Sequence, residues 1–327
     1  MITDKISDLI GGTPLLRLAV APGMGTVLLK MEQYNPTGSA KIRMARNMID
    51  EAEAQGLLAP GGWLVESTSG NTGVGLALIA AERGYKFSAV IDNHSSADKQ
   101  RAMRAYGAEL VNVGGDDDAL ATAERDAVAE RLAIEHGAYW TAQHLNEGNP
   151  NSYRAVAREL IDALGERIDW LYGAVGTGGS LCGTGRGLRE RIPDLRIVGV
   201  EPLGSVVFGG PGAPYHQSGT GTPEGAEIGH LVDYDLIDDG ITVTDAEAFE
   251  TCRYLARRYG ILVGGSAGGV IYKALERARD VPPETVIVVL VCDGGEKYLD
   301  TVYNDDWMAA EGLFDATVVN HLESMLR

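Results

Sequence analysis

Four glycine-rich segments hold the residues whose types and spacing suit chemistry. The first is Asn35-Pro36-Thr37-Gly38-Ser39-Ala40-Lys41-Ile42-Arg43, a turn followed by a lysine at the expected start of a helix. A helix N-terminus disfavours a cation, so an amine there leans toward its neutral, nucleophilic form and suits imine formation with an aldehyde. The plainer reading is an ordinary surface lysine. The second is Ser67-Thr68-Ser69-Gly70-Asn71-Thr72-Gly73. Small hydroxyl residues at a helix start offer N–H and O–H donors that seat a carboxylate, or Thr68, Ser69 or Asn71 simply caps the helix. The third is Gly176-Thr177-Gly178-Gly179-Ser180, whose bare backbone can wrap a phosphate closely. A dinucleotide fingerprint competes for this stretch, with Glu201 ending a later strand, but Leu181 stands where its third glycine is needed. The fourth is Gly264-Gly265-Ser266-Ala267-Gly268-Gly269, where the Ser266 hydroxyl faces a heterocyclic nitrogen or caps a helix.

Elements that position these segments follow from the apolar pattern. Strand-like runs fall at 27–31, 63–66, 87–91, 109–113, 170–175, 197–201 and 286–292. Helical patterns lie at 42–55, 73–83, 97–106, 119–136, 153–164, 246–259 and 267–278, with a short helix opening near Leu181. Strands alternating with helices mean βα crossovers and an α/β fold with mainly parallel sheet. No internal period of repeat length and no low-complexity tract is present. The stretch 208–229 lacks periodicity and reads as a functional loop or an insertion.

A chain of 327 residues, 45% of them hydrophobic, suits one large α/β unit or two closely packed ones. Its apolar runs fall short of the roughly 20 residues that span a bilayer, and Met1-Ile2-Thr3-Asp4-Lys5 lacks the order of a signal peptide. A net charge of −18 argues against nucleic acid or an anionic membrane as partner. Anionic ligands must then be held by local devices against the overall field. The cysteines Cys182, Cys252 and Cys292 show no metal-ligand spacing, and so sparse a set fits a reducing, cytoplasmic setting.

Taken in order, the four segments resemble the fold type II pyridoxal-phosphate enzymes, of tryptophan-synthase-β-like fold, and within them the cysteine synthase and cystathionine β-synthase branch. The resemblance runs from Ile10-Gly11-Gly12-Thr13-Pro14-Leu15 to Tyr298-Leu299-Asp300 and Asn304-Asp305-Asp306-Trp307-Met308. It implies pyridoxal 5'-phosphate on Lys41, Asn71 beside the cofactor's phenolic oxygen, and Gly176, Thr177, Gly178, Gly179 and Ser180 around its phosphate. It also implies Ser266 at the ring nitrogen, and Thr68, Ser69, Gly70, Thr72 and Gln143 on the substrate carboxylate. The implied reaction is β-replacement on an O-activated L-serine, acetyl or phospho, through an aminoacrylate intermediate. A neutral serine at the ring nitrogen leaves the ring unprotonated, which suits β-elimination and replacement. The implied architecture is a homodimer with a smaller, mobile α/β domain at 41–143 inserted into a larger cofactor-binding one, 1–40 with 144–327, the cofactor lying between them.

Departures from the pattern shape the alternatives. Ile42-Arg43 resembles the serine/threonine dehydratases, whereas Thr72 and the phosphate loop side with the synthases. Val156-Ala157 stands where the synthases tend to carry threonines, and 218–231 replaces their compact substrate loop with a longer, acid-containing one. The stretches Glu201-Pro202-Leu203-Gly204-Ser205-Val206-Val207-Phe208-Gly209 and Tyr298-Leu299-Asp300-Thr301-Val302-Tyr303 are similar to the amino-carboxyethyl-glutamate synthases of diaminopropionate pathways. An amine nucleophile, with Glu224 and Glu227 near its cationic group, is therefore the alternative to sulfide. A dehydratase comes third, and a non-enzymatic cofactor-binding regulator last.

Overall fold

The computed structural model of the chain describes residues 2–68, 70–93, 95–114 and 122–327. A strand pair, β1 (Leu15–Arg17) and β2 (Thr26–Met31), comes first, followed by α1 (Lys41–Ala54) and β3 (Trp63–Ser67). Next come α2 (Asn71–Arg83), β4 (Lys86–Ile91), α3 (Ala97–Ala105), β5 (Glu109–Asn112) and α4 (Thr122–His136). Short elements β6 (Tyr139–Trp140) and α5 (Gly148–Ser152) lead to α6 (Arg154–Leu164), β7 (Trp170–Ala174), α7 (Gly179–Arg189) and β8 (Arg196–Pro202). The remainder is β9 (Asp239–Val243), α8 (Asp245–Tyr259), α9 (Gly265–Arg279), β10 (Val286–Val291), α10 (Asp305–Ala310) and α11 (Ala316–Met325). Each strand and helix expected from periodicity is found, save that 119–121 of one expected helix lie outside the described residues. The elements not anticipated (β1, β6, β9, α5, α10, α11) are mostly too short for a period to show.

The chain divides into two compact units: residues up to Gly11 with Asn35–Ser152, and Gly12–Tyr34 with Tyr153–Arg327. The boundaries expected at 41 and 143 both fall inside the first unit. Its described strands form one parallel sheet in the order β5-β4-β3-β6. Polar anchors explain why flanking residues join it. Ser7 gives its N–H and hydroxyl to Glu82 at 2.9 and 2.6 Å, and Asn47 donates to the Gly148 carbonyl at 2.7 Å. Helices α1 and α2 meet at Gly75, where a Cβ would sit 3.2 Å from Ala45 Cβ and from Ile42 Cα. A side chain at 75 would push the two helices apart by a few tenths of an ångström.

In the second unit the order is β1-β2-β10-β7-β8-β9, with β1 antiparallel and the rest parallel. The apolar run of β10 lies at its centre, five of its six residues buried, as a parallel strand covered on both faces requires. One core joins β2, β10, α8, α9 and α11. Buried Lys30 in β2 is compensated by the Thr13 carbonyl and by Glu159, both at 2.6 Å. Ala157 of α6 packs on Gly187 of α7, where an added Cβ would stand 2.7 Å from that of Ala157, so the contact requires glycine at 187. Among the described residues no helix is long and apolar enough to cross a membrane.

Candidate active site

Lys41 is the first residue of α1, as expected. The turn before it closes with Gly38 N–H on the Asn35 carbonyl at 2.8 Å, and Ser39 Oγ accepts the Lys41 N–H at 3.2 Å. Thr37 Oγ1, in the same turn, is buried with no hydrogen-bond partner among the described residues. Because Gly75 touches Ile42, the start of α1 lies against the second turn of α2. The amine-bearing start of α1 thus lies within about one helical turn of the donor-bearing start of α2.

At the start of α2, Thr68 Oγ1 accepts from Gly70 N–H at 3.2 Å and from Gly73 N–H at 3.3 Å, so capping is one of its tasks. The first-turn N–H group of Thr72 has no helix carbonyl within its reach. Ser69, expected in this seat, lies outside the described residues. Gln143 joins the same cluster: its Oε1 accepts the Thr72 hydroxyl at 2.7 Å, and its Nε2 donates to Glu66 at 3.2 Å and to the Ser67 carbonyl at 3.0 Å. Burial pushes the Glu66 acid up to about 8, with the Thr141 and Gln143 hydrogen bonds pulling it back and Asp126 adding to the rise.

In the second unit, 176–180 joins β7 to α7, as expected. Gly178 caps α7 in the left-handed region, φ 86°, and Thr177 Oγ1 accepts Gly179 N–H at 3.2 Å. A Cβ on Gly176 would come to 3.0 Å from the Gly219 carbonyl, and one on Gly178 to 2.8 Å from the Leu231 carbonyl. Thr220 Oγ1 and Gly221 N–H both donate to the Val175 carbonyl, at 3.0 and 2.7 Å. Both ends of 218–231 therefore wall the glycine loop. Within that segment Glu224 lies over Gly212, and Glu227 pairs with His230 at 2.9 Å, both exposed. Ser266 is the second residue of α9, buried, and its hydroxyl does not cap the helix. Gly265 and Gly268 are packing residues, pressed against Phe249 and the Ala248 carbonyl of α8. Glu201 accepts from the Val207 and Phe208 N–H groups at 2.9 and 3.2 Å, which occupies it within its own loop.

The family profile described as "Pyridoxal-phosphate dependent enzyme" matches residues 6–293. The chain belongs to this family. Pyridoxal phosphate is its cofactor. A provisionally named cysteine synthase of Sinorhizobium fredii is 48% identical over 100% of this chain and 98% of its own. The N-(2-amino-2-carboxyethyl)-L-glutamate synthase of Ralstonia nicotianae is 40% identical over 94% of this chain and 92% of its own. Among solved structures, an O-ureido-L-serine synthase superposes with a TM-score of 0.85 at 37% identity, over 95% of this chain and all of that one.

The residues present fit pyridoxal phosphate. An aldehyde needs an amine, which Lys41 supplies beside the buried, unpartnered Thr37 hydroxyl. A phosphate needs convergent N–H donors without side chains in the way, and the start of α7 after Gly176-Thr177-Gly178 provides them. Several residues escaped the sequence reading. Glu66 is hidden within the apolar strand β3. Lys99 of α3 is buried, its Nζ 4.0 Å from where a Cβ on Gly70 would lie. Asp293 is buried against Gly264 and accepts the Tyr298 hydroxyl at 2.7 Å. Burial and the Asp293 charge push the Tyr298 phenol far up, while a hydrogen bond with Ser218 pulls it down, so Tyr298 ties 218–231 to this acid. Such long-range pairs leave no local pattern. Only a charged residue inside an apolar element hints at them, as at Glu66.

Proposed function

We propose that this enzyme replaces the β-substituent of an O-activated L-serine, acetyl or phospho, in the manner of a cysteine synthase. The observation that carries the reading is the approach, inside the first unit, of the α1 end bearing Lys41 to the donor-rich end of α2. When bound, pyridoxal phosphate supplies an electron sink that acidifies the α-proton of an amino acid and lets its β-substituent leave. Lys41 is assigned to carrying the cofactor, and its amine, once freed by the substrate's own, is the base for the α-proton. Thr68 Oγ1 accepts two N–H groups and keeps its hydrogen to give to a carboxylate, beside the backbone donor of Thr72. Ser69 and Gly70 complete that seat, Gln143 stands behind it and holds the Thr72 hydroxyl, and the Asn71 side chain is assigned to the phenolic oxygen. Gly176, Thr177, Gly178, Gly179 and Ser180 hold the phosphate, and the Ser266 hydroxyl is the neutral partner of the ring nitrogen.

A second reading, replacement by an amine to give a diaminopropionate-type product, has its own support. The 218–231 segment walls the glycine loop at 176 and 178 and reaches Tyr298 through Ser218, so it is part of the site's framework. The Ralstonia relative carries the name of such an activity. The assembly we expect is a homodimer, acting in the cytoplasm, with an amino-acid substrate and a second small nucleophile as partners. The deciding assay follows the visible band of the purified holoenzyme. O-acetyl-L-serine or O-phospho-L-serine should shift it, and the acceptor should restore it in a panel of sulfide, thiols and amino acids. Restoration by sulfide alone supports the cysteine-synthase reading, and saturable restoration by an amino acid the amine reading. No shift with either serine ester ends both.

A further inference from the structure

We propose that Glu66 is a positioning residue for the carboxylate seat: through Gln143 it fixes the direction in which the Thr72 hydroxyl points. The proposal deepens the β-replacement reading and rests on it for the substrate. Glu66 is 1% exposed and accepts from the Thr141 hydroxyl, from Gln143 N–H at 3.3 Å and from Gln143 Nε2 at 3.2 Å. The other hydrogen of that carboxamide goes to the Ser67 carbonyl at 3.0 Å. With both donors taken, the amide oxygen faces Thr72, whose hydroxyl donates to it at 2.7 Å. Turning the amide over would set its oxygen against two acceptors, so its neighbours dictate its orientation. The backbone is held as firmly. Asn149 Nδ2 donates to the Gln143 carbonyl at 2.8 Å, and Ala142 just before it is the one non-glycine residue of positive φ, 45°, among those described. An alanine keeps that conformation only where its surroundings over-determine it.

Hydrogen bonds thus run with one polarity from Thr72 through Gln143 to Glu66, and Thr72 stands in the first turn of the helix assigned to the carboxylate. Without the Glu66 acceptor only the Ser67 carbonyl still orients the carboxamide, so its hold on the Thr72 hydrogen loosens. Burial favours the neutral acid, so a carboxamide in place of Glu66 preserves the relay. Its oxygen accepts from Gln143 Nε2 and its NH2 donates to Thr141, whose hydrogen turns to the Val65 carbonyl 3.5 Å away, at the cost of the long 3.3 Å bond from Gln143 N–H.

The test uses holoenzyme variants Glu66→Gln, Glu66→Leu, Gln143→Leu and the Glu66→Leu/Gln143→Leu pair, with two readouts. One is the O-acetyl-L-serine concentration that half-shifts the cofactor band. The other is the side-chain 15N–1H pair of Gln143, assigned by its loss in Gln143→Leu. Glu66→Leu should raise the half-shift concentration about tenfold, leave the acceptor's half-saturation alone and move the Gln143 pair. Glu66→Gln should restore binding to within about threefold. In the Gln143→Leu background Glu66→Leu should add nothing, since the relay is already cut. An equal loss in both backgrounds, or a Gln143 pair that does not move, overturns the proposal. If Glu66→Leu does not fold, Glu66→Asp withdraws the acceptor by one methylene and is read the same way. A wild-type band indifferent to O-acetyl-L-serine sinks the substrate reading instead, and the Gln143 resonances still decide the positioning role.

Discussion

Lys41 and Lys30 show how position, at the scale of a single residue, separates two identical side chains. Lys30 is buried in a strand and spent on Thr13 and Glu159, whereas Lys41 opens a helix whose start lies near that of another. Lys41→Ala should still bind pyridoxal phosphate and lose about 10²–10⁴-fold or more in turnover, the usual weight of a positioned general base. Borohydride trapping of the wild-type enzyme followed by peptide mapping checks it; label on Lys30 or Lys297 would refute the assignment. Glu66 yields a stability prediction as well. Its folded pKa of about 8 lies above the ordinary 4.5, because burial, with Asp126 nearby, disfavours the charge. Between those values the folded state holds a proton that the unfolded state has released, so stability contributed at low pH is lost as pH rises through about 8. Glu66→Gln removes that term. Its melting temperature relative to wild type should climb from pH 4.5 to 8 and level off above. A constant offset across that range would mean Glu66 is not the titrating group.

Helix starts and the segments that wall them are the working parts at the scale of elements. The glycine loop at 176–180, which we propose holds the phosphate, depends on Gly178 for two separable reasons, a left-handed φ and a carbonyl 2.8 Å from where a Cβ would lie. Gly178→Ala therefore combines strain of about 1–3 kcal/mol with displacement of 231–232. Gly225→Ala is the control, since Gly225 has φ 82° with nothing within 4 Å of its added Cβ. Gly178→Ala should weaken cofactor affinity at least about tenfold, and Gly225→Ala should cost stability alone. Equilibrium titration of apoenzyme with pyridoxal phosphate, with melting curves of both variants, separates the two effects. Equal cofactor affinity in the pair would remove the loop's wall from the account of phosphate binding.

Charge becomes a functional quantity only at the scale of the whole molecule. A net charge of −18 opposes every anionic substrate at long range, while helix starts such as those of α2 and α7 favour an anion at short range. Salt screens the long-range part first, over about 10 Å at 0.1 M. Raising ionic strength from about 0.01 to 0.15 M should therefore increase kcat/KM for O-phospho-L-serine several-fold, and less for O-acetyl-L-serine, which carries no phosphate charge. Initial rates at matched pH over that salt range check it. A fall with salt for both esters would show that local cations, not net charge, govern entry.

Periodicity located the long strands and helices of both units, because burial of one face or both imposes a pattern on every residue of a long element. The four glycine-rich segments were legible for a related reason: a turn into a helix has few chemical solutions, so Lys41, Thr68 and Gly178 sit where their neighbours' types said they would. What the tertiary structure alone decided lies between residues far apart in the chain. Residues 2–11 and 144–152 joined the first unit through single side chains, Ser7 on Glu82 and Asn47 on Gly148, which carry no period. The 218–231 segment proved to wall the glycine loop because Gly176 and Gly178 have backbone, not side chain, against them. Glu66, inside an apolar strand, acquired its partners Thr141 and Gln143 from more than seventy residues away. A local pattern records what each residue needs; which distant residue supplies it is settled only when the chain packs.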